Sequence, residues 1–291
     1  IPFKNLPAQI TTIAEDDEHK LWIGIRGNGV IQYDVEQNTF RHFVHSDRDS
    51  NSLTNNSVLS IRKTSNGNIW ICTFSGISVF EKNKNALRNI ILQNYDSLML
   101  NYVLDVFESS DGTLWISTST GIAKFDVHTN TMRIFQHHES DNRTQSYNIV
   151  TSCIEDAKKQ MWISTLGSGL NLYDKQKDSF RHFSSEDGLI NDVVYGICKD
   201  RNNNLWLSTN DGISRFNTET QTFTNFGIEE GLYFKEFAIN SFFQNRDGEI
   251  FFGGTGGALA FHSDSVRENQ YIPPIVLSDL KINYKSLDSV R

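Results

Sequence analysis

Carboxylates, histidines, cysteines and glycine-rich turns are spread along this 291-residue chain, and their spacing decides what chemistry they can do. Two carboxylates held ~5–10 Å apart are the machinery of glycoside cleavage. Asp105, Asp192 and Glu236 are the candidates for such a pair, but nothing in the linear pattern brings two of them together. Asp16, Asp156 and Asp200 each stand six residues before a tryptophan. A recurrence of that kind separates the three in space, so we read them as caps of hairpin turns. There is no Gly-x-Ser-x-Gly elbow and no His-Glu-x-x-His pair. His137-His138 falls in a polar loop, and His42 and His182 share one slot of a repeated Phe-Arg-His-Phe. Gly27-Asn28-Gly29 and Gly167-Ser168-Gly169 look like phosphate loops, but each lies between strands, with no helix N-terminus to hold an anion. Cys72, Cys153 and Cys198 show neither metal nor disulfide spacing. We expect no catalytic centre, no metal and no cofactor.

The elements that position these residues are announced by tryptophan. Leu21-Trp22-Ile23-Gly24-Ile25 recurs as Ile69-Trp70-Ile71-Cys72-Thr73, Leu114-Trp115-Ile116-Ser117-Thr118, Met161-Trp162-Ile163-Ser164-Thr165 and Leu205-Trp206-Leu207-Ser208-Thr209. A sixth copy, Ile250-Phe251-Phe252-Gly253-Gly254, has Phe in the Trp position. Successive separations are 48, 45, 47, 44 and 45 residues. Repeats of that length point to a propeller or a solenoid.

Each unit reads as four strands. Apolar residues twelve and nine before the Trp (Val58 and Ile61, Val150 and Cys153) mark a first strand whose spacing of three implies a bulge. Asn66-Gly67, Asp111-Gly112 and Asp247-Gly248 supply the positive φ of a hairpin turn. The Trp strand follows, then a glycine turn, a third strand with an aromatic (Tyr33, Phe80, Phe125, Tyr173, Phe216, Phe261) and a fourth. The only prolines, Pro2, Pro7, Pro273 and Pro274, lie outside the repeats. The fold class is therefore all-β, a β-propeller of four-stranded blades. Trp22, Trp70, Trp115, Trp162, Trp206 and Phe251 are expected as its blade-to-blade core.

Loops leading into first strands share one face of a propeller with the glycine turns, and that face offers a binding surface. Fourteen residues before the Trp, four consecutive units have Asn56, Asn101, Asn148 and Asp192. Turn initiation explains such residues, and the same ring would present amides to sugar hydroxyls. Phe74, Tyr147 and Tyr195 could stack on pyranose faces. Arg26, Asn28, Asn210, Lys235 and Glu236 complete the candidate ligand-binding set.

A net charge of −8 argues against a nucleic-acid partner or an anionic membrane surface. After Phe261 the repeat stops, and Val276, Leu280, Ile282 and Tyr284 alternate with polar residues like a further strand. We place the propeller at 1–263, a linker at 264–274 and the start of a β-sandwich at 275–291.

The Asp slot, the Leu-Trp-Ile-Ser-Thr strand and Tyr33-Asp34 and Tyr173-Asp174 resemble the two-component regulator propeller repeat. Glu236-Phe237 with Phe252-Gly253-Gly254 resembles that family's closing blade. Pro273-Pro274-Ile275-Val276-Leu277-Ser278-Asp279 resembles the start of the Y_Y_Y domain that follows it. The resemblance implies a segment of a hybrid two-component sensor histidine kinase of polysaccharide-degrading gut bacteria. It further implies a periplasmic propeller in a parent anchored in the inner membrane, an oligosaccharide ligand, signalling through the Y_Y_Y domain, and a homodimeric parent. Seven blades are usual there, so we expect six repeats from a seven-bladed ring, with a closed six-bladed ring as the alternative. A propeller hydrolase or lyase, and a purely structural dimerisation scaffold, are the rival functions.

Overall fold

A computed structural model of the chain describes residues 9–90, 102–141 and 143–266, and the backbone of 281–282 and 285–286. Six antiparallel sheets follow one another as the blades of a β-propeller: I (10–43), II (58–90), III (103–135), IV (150–183), V (194–226) and VI (237–262). Blades I–V each have four strands in sequence order, and blade VI has three among the described residues. The first strands pack side by side around a central channel, in order from blade I to blade VI. No described helix is long and apolar enough to cross a membrane.

The expected bulge is present in every blade. The first two strands shift register between Ile10 and Thr12, Val58 and Ser60, Val150 and Ser152, and Val194 and Gly196, and in blade III beside Asp105. The hairpin glycines take left-handed φ, 80° at both Gly67 and Gly112. His19 and Lys159 occupy the same turn position at 60° and 61°.

The Trp side chains are interface wedges. Trp22, Trp70, Trp115, Trp162 and Trp206 are 0, 3, 3, 0 and 2% exposed. Each lies against the third-strand aromatic of the next blade. The ring centroids are 4.8 Å apart for Trp22–Phe80, 6.2 Å for Trp70–Phe125 and 5.3 Å for Trp115–Tyr173. For Trp162–Phe216 the distance is 5.1 Å, and for Trp206–Phe261 it is 4.9 Å. Trp22 and Trp206 also stack on the fourth strand of their own blade, through Phe43 and Phe226. Burying aromatics edge-to-face adds to the area term.

The indole N–H is locked as well. Asp16, Asp156 and Asp200 accept from Trp22, Trp162 and Trp206 Nε1 at 2.8, 3.0 and 3.0 Å. The other carboxylate oxygen of each accepts two backbone N–H groups of the turn, such as Lys158 and Gln160 for Asp156. Capping is thus their role, with the Trp as an added partner. In blades II and III, Thr64 and Ser109 take the turn position instead.

Phe251 departs from the expectation of a sixth buried wedge. It is half-buried, against Phe243 at 6.1 Å, while Phe252 beside it is fully buried in the cluster with Trp206. The reason is positional: no third strand of a following blade covers Phe251 among the described residues. Ile10, Ile13 and Phe243, at 56, 59 and 61% exposure, mark the outward faces of blades I and VI. Most of the proposed Y_Y_Y start and of the linker lies outside the described residues, as do all four prolines. Residues 281–282 pair antiparallel with 285–286.

Candidate functional site: a mouth built from three blades, and a channel closed below it

The residue four after each Trp forms the rim of the upper mouth, and backbone bonds fix it. Arg26, Phe74, Ser119, Leu166 and Asn210 donate to Gln9, Ser57, Tyr102, Ile149 and Val193 carbonyls at 2.9–3.2 Å. The backbone of this slot is uniform and its side chains are not, so chemistry varies around the ring on a constant frame.

Two groupings result. Across blades I to III, the Arg26 guanidinium lies 5.8 Å from the Phe74 ring centre, and Phe74 meets Tyr102 at 4.7 Å. Arg26 Nη1 also donates to Gln9 Oε1 at 3.3 Å. Tyr102 is 47% exposed and Phe74 half-buried, so the cluster presents an aromatic surface beside a cation. In blade V the Tyr195 hydroxyl donates to Asn210 Oδ1 at 2.9 Å. Burial, and then the charge of Glu236, raises the Tyr195 phenol above its ordinary range. Lys235 pairs with Asp211 at 2.6 Å, and that bond raises its pKa. Glu236 is exposed, and its carbonyl accepts from Thr255 N. Tyr147, in the crossover before blade IV, packs on Gly167, where a Cβ would come within 3.3 Å of its ring.

The remaining candidates are engaged in holding loops. Asn148 Oδ1 accepts from His137 N at 2.8 Å, as Asn56 Oδ1 does from His45 N at 2.7 Å. Asp192 accepts from Ser185 N and Oγ at 2.7 and 2.9 Å. The Asn28 carbonyl lies 2.7 Å from His42 Nε2. Asn101 is outside the described residues. Sequence reasoning missed Tyr102, whose signal was an aromatic directly before a first strand, next to the Asn101 it selected instead.

Below the rim the channel is closed by a polar plug. Asp105 accepts from Arg62 Nε at 2.7 Å, Arg62 Nη2 at 2.9 Å and Ser60 Oγ at 2.7 Å. Burial works against the Arg62 charge, but the Asp105 carboxylate outweighs it and holds the guanidinium pKa up. Asn240, at φ 59° in the large bulge of blade VI, reaches across to donate to the Leu59 and Leu104 carbonyls at 3.2 and 2.9 Å. Asp105 is thereby an ion-pair partner, and Asp192 and Glu236 sit on the crossovers that lead into blades V and VI. The three cysteines are buried and free, and burial pushes the Cys198 thiol up to about 12, away from nucleophilic use. Among the described residues no group of three or more His, Cys, Asp or Glu side chains is placed to hold a metal ion.

The family model described as "Two component regulator propeller" matches residues 52–75, 97–120 and 188–211. The chain is 26% identical over 274 residues to histidine kinase P4 of Formosa agariphila, covering 94% of this chain and 17% of that protein. It superposes with a TM-score of 0.77 and 24% identity on the extracellular domain of the hybrid two component system BT3049 from B. thetaiotaomicron. That match covers 94% of this chain and 38% of the other. Virginiamycin B lyase from Staphylococcus aureus shares the fold at a TM-score of 0.68 and 15% identity, over 90% of this chain and 84% of the lyase. The chain thus spans about a sixth of the curated relative and about two-fifths of the first of these structures.

Proposed function

We propose that this chain, three segments of which match the two component regulator propeller model, is the ligand-sensing propeller of a hybrid two-component sensor. In this reading it lies in the periplasm, in a dimeric parent anchored in the inner membrane. It recognises an oligosaccharide at the upper mouth and signals through an adjoining Y_Y_Y domain to a histidine kinase. The likeness to sensor extracellular domains supports the setting. The observation that carries the site is the Arg26–Phe74–Tyr102 cluster, an exposed aromatic and cationic surface assembled from three consecutive blades. Aromatic faces pack on the C–H faces of sugar rings, while exposed amide and guanidinium groups bond their hydroxyls. Ligand would act by favouring one of two interdomain arrangements, as any differential binder must.

Calorimetric titration with a panel of plant, algal and host oligosaccharides tests this. Saturable binding without turnover, weakened roughly tenfold or more by Tyr102→Ala, is the expected result. Turnover of a glycan would replace the reading with the enzyme. Absence of binding across the panel would replace it with the interaction scaffold.

A further inference from the structure

The first strands of blades II–VI end around a second opening, on the face opposite the mouth. It is a pocket of about 400 Å³ whose walls include Phe107, Ile154, Ile197, Phe242 and Phe243 together with Arg62 and Asp105. That volume is in the lower part of the range for small-molecule sites, and an apolar wall with few polar groups is their usual make-up.

The two charged residues are exceptions to the repeat. Eight before the Trp the six units have Ala14, Arg62, Phe107, Ile154, Cys198 and Phe243. Ten before it they have Thr12, Ser60, Asp105, Ser152, Gly196 and Ser241. Arg62 and Asp105 are the charged members of these slots, and they come from neighbouring blades to pair with each other. Apolar and small residues serve the other blades, and a buried ion pair is weak evidence of a stability role, since apolar replacements are often as stable. Asp105 is 5% exposed and the Arg62 side chain 35%, and both line the pocket. The Arg62 guanidinium lies 5.4 Å from the Phe242 ring centre, which sets a flat hydrogen-bonding group beside an aromatic wall.

The charges around the pocket are already matched. Arg62 holds Asp105, Lys63 holds Asp17 at 2.7 Å, and Glu108 accepts from Ser65 N and Oγ at 2.6 and 2.7 Å. An anionic ligand would have to draw Arg62 from Asp105, and a cationic one would do the reverse. A neutral ligand with hydroxyl groups and one apolar face can use donor and acceptor together.

We propose that this lower pocket is a binding site for a neutral pyranose, a single sugar ring that packs on Phe243 and hydrogen-bonds the Arg62–Asp105 pair. It is separate from the mouth and does not depend on an oligosaccharide binding there.

The test is ligand-observed NMR and calorimetry on the chain with D-glucose, D-galactose, D-glucuronate and D-galacturonate. At least one neutral sugar should bind saturably, and its uronate should bind roughly tenfold more weakly or worse. Phe243→Ala, at a residue exposed enough to truncate without unfolding, should weaken binding by roughly tenfold, and Arg62→Met with Asp105→Leu should abolish it. Tyr102→Ala at the mouth should leave it unchanged. Absence of saturation by either neutral sugar, a uronate binding as well as its neutral counterpart, or binding indifferent to Phe243→Ala would each overturn the assignment. If the double variant does not fold, Phe243→Ala decides.

Discussion

The Trp interfaces and the mouth above them put the same kind of side chain to opposite uses. In the interfaces the five Trp rings are buried, repeat in phase and meet the same partner slot in the next blade, Phe261 being the partly buried partner. At the mouth the aromatics are exposed or half-exposed, and the residue changes from blade to blade: Arg26, Phe74, Ser119, Leu166, Asn210. Repetition marks the parts that hold the ring, and variation on a fixed backbone marks the parts free to recognise something.

Substitutions ordered by expected effect sharpen or break that contrast. Trp162→Ala should cost about 3–5 kcal/mol in denaturant unfolding, from lost burial and the cavity left between blades. Phe251→Ala, at the uncovered slot, should cost about 1 kcal/mol, and equal losses for the two would dissolve the distinction. Asp156→Ala removes the acceptor of one buried indole and two turn amides, for about 2–4 kcal/mol. Asn240→Ala should cost about 1–2.5 kcal/mol, combining two lost cross-channel bonds with a left-handed backbone that alanine tolerates poorly. Asn240→Gly, which relieves the backbone and still loses the bonds, separates the two parts.

The smallest effect has the opposite sign. The crossovers 45–56 and 137–148 are the same loop built twice. His45 and Asn56, Ser46 and Ser52, and Asn51 and Asp49 bond as do His137 and Asn148, His138 and Thr144, and Arg143 and Asp141. At their shared buried position one has Leu53, in the core with Trp22, and the other has Gln145, whose Oε1 is buried without a partner. Leu189 fills the corresponding space beside Gly169 in the next crossover. Gln145→Leu should therefore raise the unfolding free energy by about 1 kcal/mol, the cost of an unsatisfied buried amide outweighing its one bond to the Tyr147 carbonyl. A fall in stability would mean that Gln145 is needed where it stands.

Most of the fold was legible because a blade is local. Its strand order, bulge, turn glycines and Trp are fixed by residues within one repeat, so phase along the chain reveals them. The cross-channel contacts were not. Asp105 stood out in its slot, but its partner Arg62 lies 43 residues away in a different slot, and only ring geometry brings them together. Asn240 was hidden for the same reason: its bulge is larger than those of the other blades, and its acceptors belong to blades II and III. The Asn148 and Asp192 positions were visible as a pattern, and the structure shows their oxygens bonded to the loops that precede them. Tyr102 was obscured because the slot before each first strand carries no shared residue type to compare it with.

The separation of platform from recognition is tested most directly by paired titration and unfolding of Tyr102→Ala and Trp115→Ala with an oligosaccharide that binds the parent protein. The expected result is that Tyr102→Ala keeps its unfolding free energy within about 1 kcal/mol and loses roughly tenfold or more in affinity. Trp115→Ala should lose about 3–5 kcal/mol of stability and, where it remains folded, bind with the parent's affinity. A Trp115→Ala protein of unchanged stability that no longer binds would contradict the account.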